Sequence, residues 1–268
     1  MEPTPKIDIT TAHPGRVYDF YLGGKDNFPA DREAGRRILS IAPESRDIAR
    51  ANRAFLQRVV RYLVRDQGIR QIIDIGTGLP TVGNVHEIAQ QEARETRTVC
   101  IDNDPIVHVT ARAILSGTTD RVAYVLGDAR QPKAILTHPE LESLIDLTQP
   151  VAVLMVAVLH FVADQDQPGQ IVAAFRDSLA SGSYLGLSHG TSDLHPRDQV
   201  EQAQATYQRS TAPFVLRPRA QIAGFFDGWD LVPPGLVQVP LWRPDGPAPG
   251  PAELAKMGLY GGVGRLPG

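Results

Sequence analysis

Cysteine is almost absent from this chain of 268 residues: Cys100 is its single thiol. That excludes an internal disulfide and a cysteine-cluster metal site, and it suits a reducing compartment. Long apolar runs are missing too. The longest, Val151 to Leu159, is too short to cross a bilayer, so no membrane association is expected. The first residues, "MEPTPKIDIT", lack the apolar stretch of a signal peptide, and the expected location is cytoplasmic. There is no excess of positive charge. The formal net charge of −3 argues against a general nucleic-acid binder. Arginines do crowd the stretch from Arg32 to Arg70, which reads as a solvated helical surface or as a local patch for an anionic partner.

What is present suits a soluble α/β protein. Hydrophobic residues at 42% and charged residues at 21% are ordinary for a globular domain able to bury a large core. Residues 1–15 read as a loop and 30–40 as a short helix. Pro43 fits the first turn of a longer helix reaching about Asp66, with Gly68 as its stop. A regular alternation follows. The strands are "QIIDIG" (71–76), "TVCID" (98–102), "VAYVLGD" (122–128), "VAVLMVAVL" (151–159) and "SYLGLSH" (183–189), with helices between, the first over Val82–Ala93. This is the pattern of a parallel sheet covered on both faces. Near the end, "WDLV" and "LVQVPLW" are joined too tightly for a crossover, which predicts an antiparallel pair. "YGGVGRLPG" reads as a tail. The domain organisation expected is an N-terminal lid and helical extension over 1–67, followed by a ligand-binding domain over 68–268.

The chemistry-bearing residues gather at strand ends, where open α/β sheets bind ligands. In "DIGTGLPT", Gly76 and Gly78 let the backbone pass close under a ligand. Pro80 and Thr81 depart from the dinucleotide G-x-G-x-x-G pattern, and no G-K-[ST] makes it a phosphate loop. Asp102, about 25 residues on, can accept both hydroxyls of a ribose, with Asn103 and Asp104 beside it. Asp128 closes the third strand and can accept from an exocyclic amine, with Ala129 next to it; alone it would be an ordinary helix cap. The opening segment "RVYDFYLGGKDNFPADREAGRR" (16–37) is too apolar for disorder. Lys25 is followed by Asp26, which excludes a phosphate loop there too.

In this order, D-x-G-x-G, an acidic strand end, G-D-A and an apolar strand ending in "LHF" resemble the class I S-adenosylmethionine-dependent methyltransferases. "RVYDFYLGGKDNFPADREA", "NRAFLQRVVRYL", "GIRQIIDIGTGLPTVGNVHEIAQ", "DNDP", "FFDGWDLVPPGLV" and "YGGVGRLPG" resemble one family among them, found mainly in actinomycete bacteria. The resemblance spans nearly the whole chain. It implies a Rossmann-like α/β fold with a seven-stranded, mostly parallel sheet of order 3-2-1-4-5-7-6, helices on both faces and an N-terminal helical lid. It implies S-adenosylmethionine as cofactor, S-adenosylhomocysteine as product, and no metal. Carried onto this sequence, Gly76, Thr77 and Gly78 pass under the methionine part and ribose. Asp102 takes the ribose hydroxyls and Asn103 lies near the adenine. Gly127, Asp128 and Ala129 address the adenine edge, Val158 to His160 lie beside the sulfonium, and Asp74 orients the glycine loop. The cofactor's carboxylate needs a cation, for which Lys25 or Arg16 is a candidate.

Methyl transfer from a sulfonium needs mainly positioning and exclusion of water. His160 and Tyr18 are the candidate catalytic groups, with positioning favoured over base work; His189 and Tyr21 are further candidates. Residues 16–31 are expected to cover the cofactor. Tyr18 and Tyr21 would then shield the sulfonium, Gly23 and Gly24 would permit close approach, and Lys25 or Asn27 would reach a polar ligand end. "LHFV" stands where amino-group methyltransferases of nucleic acids and proteins carry an N-P-P-Y type sequence, which leans towards a small-molecule acceptor. Two alternatives stay open: a protein that binds the cofactor without transferase activity, as a sensor or interaction module, and a nicotinamide-dependent oxidoreductase. The oligomeric state is not legible.

Overall fold

The computed structural model describes residues 7–80, 83–115, 120–247 and 249–268. Three helices come first: α1 (Pro14–Leu22), α2 (Pro29–Ile41) and α3 (Ser45–Arg61). The alternating part follows as β1 (Gln71–Ile75), α4 (Val85–Glu92), β2 (Arg97–Asp102), α5 (Pro105–Leu115), β3 (Val122–Leu126), α6 (Pro132–Leu136), α7 (Pro139–Leu144), β4 (Ala152–Val156), α8 (Pro168–Arg176) and β5 (Tyr184–Gly190). The chain ends with α9 (Arg197–Tyr207), α10 (Arg219–Gly224), β6 (Asp230–Leu231), β7 (Val237–Gln238), α11 (Pro251–Leu254) and β8 (Leu259–Arg265). The expected start of α4 at Val82, and Thr81 before it, lie outside the described residues. Among the described residues no helix is long and apolar enough to cross a membrane.

Strands β1 to β5 pair in parallel, and the order across the sheet is β3-β2-β1-β4-β5-β8-β6, with β7 also paired to β8. The sheet therefore has eight strands where seven were expected. The difference lies at the C-terminus. "YGGVGR" is no tail: it is β8, which runs antiparallel to β5 from Leu259 to Arg265. The pairing expected between "WDLV" and "LVQVPLW" does not form, because both pair with β8 instead, through two residues each. Pro240 has no N–H for a ladder, so the second segment leaves the sheet after Gln238.

Alternate strand residues face opposite sides. Ile73, Val153 and Leu185 join the core formed with helices such as α6 and α8, through Ile135 and Phe175. Ile72, Ala152, Leu154 and Tyr184 join the other, against Phe55, Val59 and Leu63 of the α3 region and Ile88 of α4. The long N-terminal helix changes to a single π turn over Tyr62–Asp66 and stops at Gly68, whose φ is +71°. A third apolar cluster joins Val17, Tyr21, Ile38 and Ala49 to Ala203 and Tyr207 of α9. Thus the first helices and α9 are held together above the C-terminal ends of the parallel strands.

Candidate functional site

The glycine loop follows β1. Gly76 and Gly78 both have φ of +70°, a region that L side chains rarely occupy. A Cβ on Gly76 would lie 2.5 Å from Val158 Cγ2. Gly76 N–H and Thr77 N–H both donate to Ile101 O, at 2.7 and 3.1 Å. Asp102 fixes the next turn: its Oδ2 accepts from Gly78 N–H at 2.8 Å and its Oδ1 from Asp104 N–H at 2.9 Å. Each carboxylate oxygen offers about two lone pairs, so both can still accept from a ligand. Asp74 sits beneath the loop. Burial pushes its carboxyl up to about 6, although a hydrogen bond from Thr77 and the charge of Arg53 act the other way.

These groups line one cavity of about 160 Å³. Gly76–Gly78 and Asp74 form one side, Asp102 and Asn103 the next, Gly127–Ala129 a third, and Val158 the end of β4. Burial alone would raise the Asp128 carboxyl, but Arg130 outweighs it through side-chain and N–H bonds and holds it below the usual range. The structure thus brings these strand ends together around one cavity. Sequence reasoning missed His13, Asp19, Asn52, Arg53 and Arg130, which also line this cavity. Helical spacing gave no hint that Asn52 and Arg53 point at the strand ends, since α3 reads as a core helix with a charged face.

The N-terminal segment closes onto the same place. Tyr18 lines the cavity, as do His13, Pro14 and Gly15. His13 Nε2 lies 3.2 Å from Asn103 Oδ1. Arg16 is buried and its Nε donates to Asp104 Oδ2 at 2.7 Å. Arg16 also lies 3.8 Å from Asp31, so it ties the segment to β2 and is no partner for a ligand carboxylate.

Five residues expected at the ligand, Tyr21, Gly23, Gly24, Lys25 and Asn27, do not line this cavity, and Asn27 Nδ2 donates within the turn, to Asp19 Oδ2 and Gly24 O. Lys25 is exposed. Gly23 is the left-handed cap that ends α1, with φ of +82°. Gly24 leaves space for the Asp19 carboxylate, which a Cβ would strike. Both glycines thus serve the turn. Tyr21 faces a second cavity, of about 130 Å³, and so does His160. Arg53 is one of the basic side chains of the first cavity, with Arg130; its Nη2 donates to Asn84 Oδ1 at 3.3 Å.

The two cavities share Pro14, Tyr18, Asn52, Ala157 and Phe161. A chain of hydrogen bonds runs through this shared wall. Ala157 N–H donates to Ser188 Oγ at 3.0 Å, and Ser188 Oγ–H donates to Asn52 Oδ1 at 2.7 Å. Asn52 Nδ2 donates to the Tyr18 hydroxyl at 3.1 Å, which donates to Ala49 O at 2.9 Å. Burial raises the Tyr18 hydroxyl above its usual pKa, so it stays protonated at neutral pH. The two histidines behave differently. His189 Nδ1 bonds Gly190 O at 2.7 Å and its Nε2 faces Arg217 at 2.9 Å. Both ring nitrogens are used, and burial pushes its pKa down to about 4. His160 Nδ1 accepts from Gly190 N–H at 3.2 Å. Burial, with His189 and Arg217 nearby, holds His160 well below the usual histidine range. A neutral ring that accepts at Nδ1 carries its proton on Nε2, so His160 can donate there and is a weak base.

The family model described as S-adenosyl methyltransferase matches residues 1–267. A DUF574 family protein from Streptomyces avermitilis is 42% identical, with 98% of this chain and 100% of that one covered and a TM-score of 0.90. A proposed methyltransferase from Thermobifida fusca is 35% identical, with both chains fully covered and a TM-score of 0.91. The fold is shared with 1,6-didemethyltoxoflavin-N1-methyltransferase of Burkholderia thailandensis, at 15% identity over 90% of this chain and 91% of that one, with a TM-score of 0.52. No curated protein matches the chain.

Proposed function

The chain belongs to the S-adenosyl methyltransferase family, and on that footing we propose that it transfers a methyl group from S-adenosylmethionine to a small-molecule acceptor. The observation that carries the reading is Asp102. Its carboxylate braces the glycine loop with one lone pair on each oxygen and keeps the others for a pair of ribose hydroxyls. When bound, S-adenosylmethionine would supply an electrophilic sulfonium methyl, with S-adenosylhomocysteine as the product and the acceptor's proton released to solvent.

The residues of this chain bind and orient. Gly76, Thr77 and Gly78 offer a backbone surface free of side-chain obstruction, and Asp74 holds that loop from beneath. Asn103 borders the sugar and base. Gly127, Asp128 and Ala129 border the adenine, with Asp128 already steadied by Arg130. Arg53 is the partner for the cofactor's carboxylate. Val158, at the end of β4, packs close to the methionine end. Residues 1–67 act as lid and helical extension, with Tyr18 excluding water above the cofactor and the remainder of the chain, 68–268, holding it. His160 positions the acceptor and does not take a proton.

Calorimetry with S-adenosylmethionine, S-adenosylhomocysteine and NAD tests the proposal. Both adenosyl ligands are expected to bind and NAD is not; binding of NAD alone overturns it. The Asp102→Ala variant should bind S-adenosylhomocysteine more weakly by about 1–3 kcal/mol, the range for a lost buried polar partner. Unchanged affinity would remove Asp102 from the site.

A further inference from the structure

The second cavity adjoins the first at Pro14, Tyr18, Asn52, Ala157 and Phe161, which border both. Its other walls come from α1, α2, α3 and α9, the loop holding Phe214, and the start of β8. They are apolar and aromatic. Phe161, Tyr207 and Phe214 stack on one another with ring centroids 4.9–5.6 Å apart. The His160 ring stands edge-on to Phe161 and Phe214, at 4.5 and 5.4 Å. Among the described residues, no Lys, Arg, Asp or Glu lines this chamber.

Most polar groups of the wall are already spent inside the protein. Ser45 Oγ donates to Ala42 O, Gln199 Nε2 to Ile41 O, and the Tyr18 hydroxyl to Ala49 O. Burial keeps Tyr21 and Tyr207 protonated, the latter pushed up to about 12. His160 differs, because its Nδ1 is taken by Gly190 N–H and its protonated Nε2 is left to donate. A ligand here therefore meets flat apolar surfaces, the His160 donor, the His195 ring and the Tyr21 hydroxyl, and no Lys, Arg, Asp or Glu side chain.

We propose that this chamber binds the methyl acceptor, and that the acceptor is an uncharged aromatic molecule of one or two fused rings bearing an oxygen that accepts from His160 Nε2. The proposal rests on the methyltransferase reading above. An anion or cation would be desolvated with no Lys, Arg, Asp or Glu of the lining to pair with, whereas a neutral ring gains from stacking on Phe161 and Phe214. Held there, the acceptor presents its nucleophile at the shared wall, where the cofactor cavity begins. His160 is a positioning residue, setting the height of the ring above that wall.

The probe is 2-naphthol, neutral at pH 7, titrated into protein saturated with S-adenosylhomocysteine and followed by its own fluorescence. Binding is expected, with naphthalene-2-sulfonate at least tenfold weaker. Ala203→Phe fills the chamber from α9 and should weaken 2-naphthol at least tenfold while leaving S-adenosylhomocysteine affinity unchanged. His160→Phe keeps a ring but removes the donor. It should weaken 2-naphthol several-fold, again with unchanged S-adenosylhomocysteine affinity as the check that the site is folded. No 2-naphthol binding, equal binding of the sulfonate, or indifference to Ala203→Phe overturns the chamber assignment while the cofactor reading stands. Indifference to His160→Phe overturns the role of His160. Failure of S-adenosylhomocysteine itself to bind strikes the methyltransferase reading instead.

Discussion

Asp74 shows how much of a site is decided at a single residue. Its carboxyl is buried under the glycine loop and titrates near 6, above the value of about 4 for a free aspartate. The folded protein therefore binds this proton more tightly than the unfolded chain does. The sign follows by linkage: the contribution of Asp74 to stability is full below about pH 4 and is lost as pH rises through about 6. At neutral pH the ionised group costs up to roughly 3 kcal/mol, from a shift of about two units. The Asp74→Asn variant should thus gain in stability relative to the parent as pH rises from about 4 to 6, measured by urea denaturation. A stability difference independent of pH would show that Asp74 does not titrate in that window. The residue types at the site were legible because strand ends carry short runs such as "DIGTG" and "DND". The tautomer of His160 was not, since it depends on Gly190 N–H, thirty residues away in sequence.

At the scale of elements, β8 is the instructive case. Glycines at 261, 262 and 264 make "YGGVGR" look like a tail, yet the strand spans seven residues between β5 and β6. The glycines are small because neighbours are close. A Cβ on Gly261 would lie 2.8 Å from Phe55 Cζ and 2.9 Å from Val239 Cγ1, and one on Gly264 would lie 2.7 Å from Trp229 Cβ. Phe55 and Val239 are fully buried and have little room to yield. Gly261→Ala should destabilise the protein by about 1–3 kcal/mol, as overpacking does. Gly169→Ala in α8, with nothing near its missing Cβ, should be neutral or stabilising. Chemical denaturation separates the two; equal effects would mean that β8 is looser than its contacts indicate. The parallel strands were legible because a strand covered on both faces is a continuous apolar run. The antiparallel edge was not, because its pairing partners are far apart in the chain.

For the molecule as a whole, the N-terminal helices and the sheet meet at the first cavity, where the cofactor is proposed to bind. Arg16 and His13 reach the end of β2 through Asp104 and Asn103, and Tyr18 reaches β5 through Asn52 and Ser188. A ligand in that cavity touches both parts. S-adenosylhomocysteine should therefore slow amide hydrogen exchange over residues 13–22 as well as at 74–78 and 102–103, since ligand binding suppresses local opening of the segments it contacts. Slowing confined to the strand ends would mean that the N-terminal segment does not cover the cofactor.

The sequence by itself determined the alternating strands and helices, the resemblance to a methyltransferase family, and the carboxylates and glycines at the strand ends. Those are local signals, carried by periodicity and by residues adjacent in the chain. Only the tertiary structure decided that Arg53 and not Lys25 borders the cavity at the strand ends, and that Tyr18 lines both chambers while Tyr21 lines the second alone. It also decided that Gly190 N–H occupies His160 Nδ1 and that burial makes this histidine a weak base. The physical reason is common to all three. Each depends on which groups from distant parts of the chain share a buried space and which hydrogen bonds they have already used, and neither spacing nor composition records that.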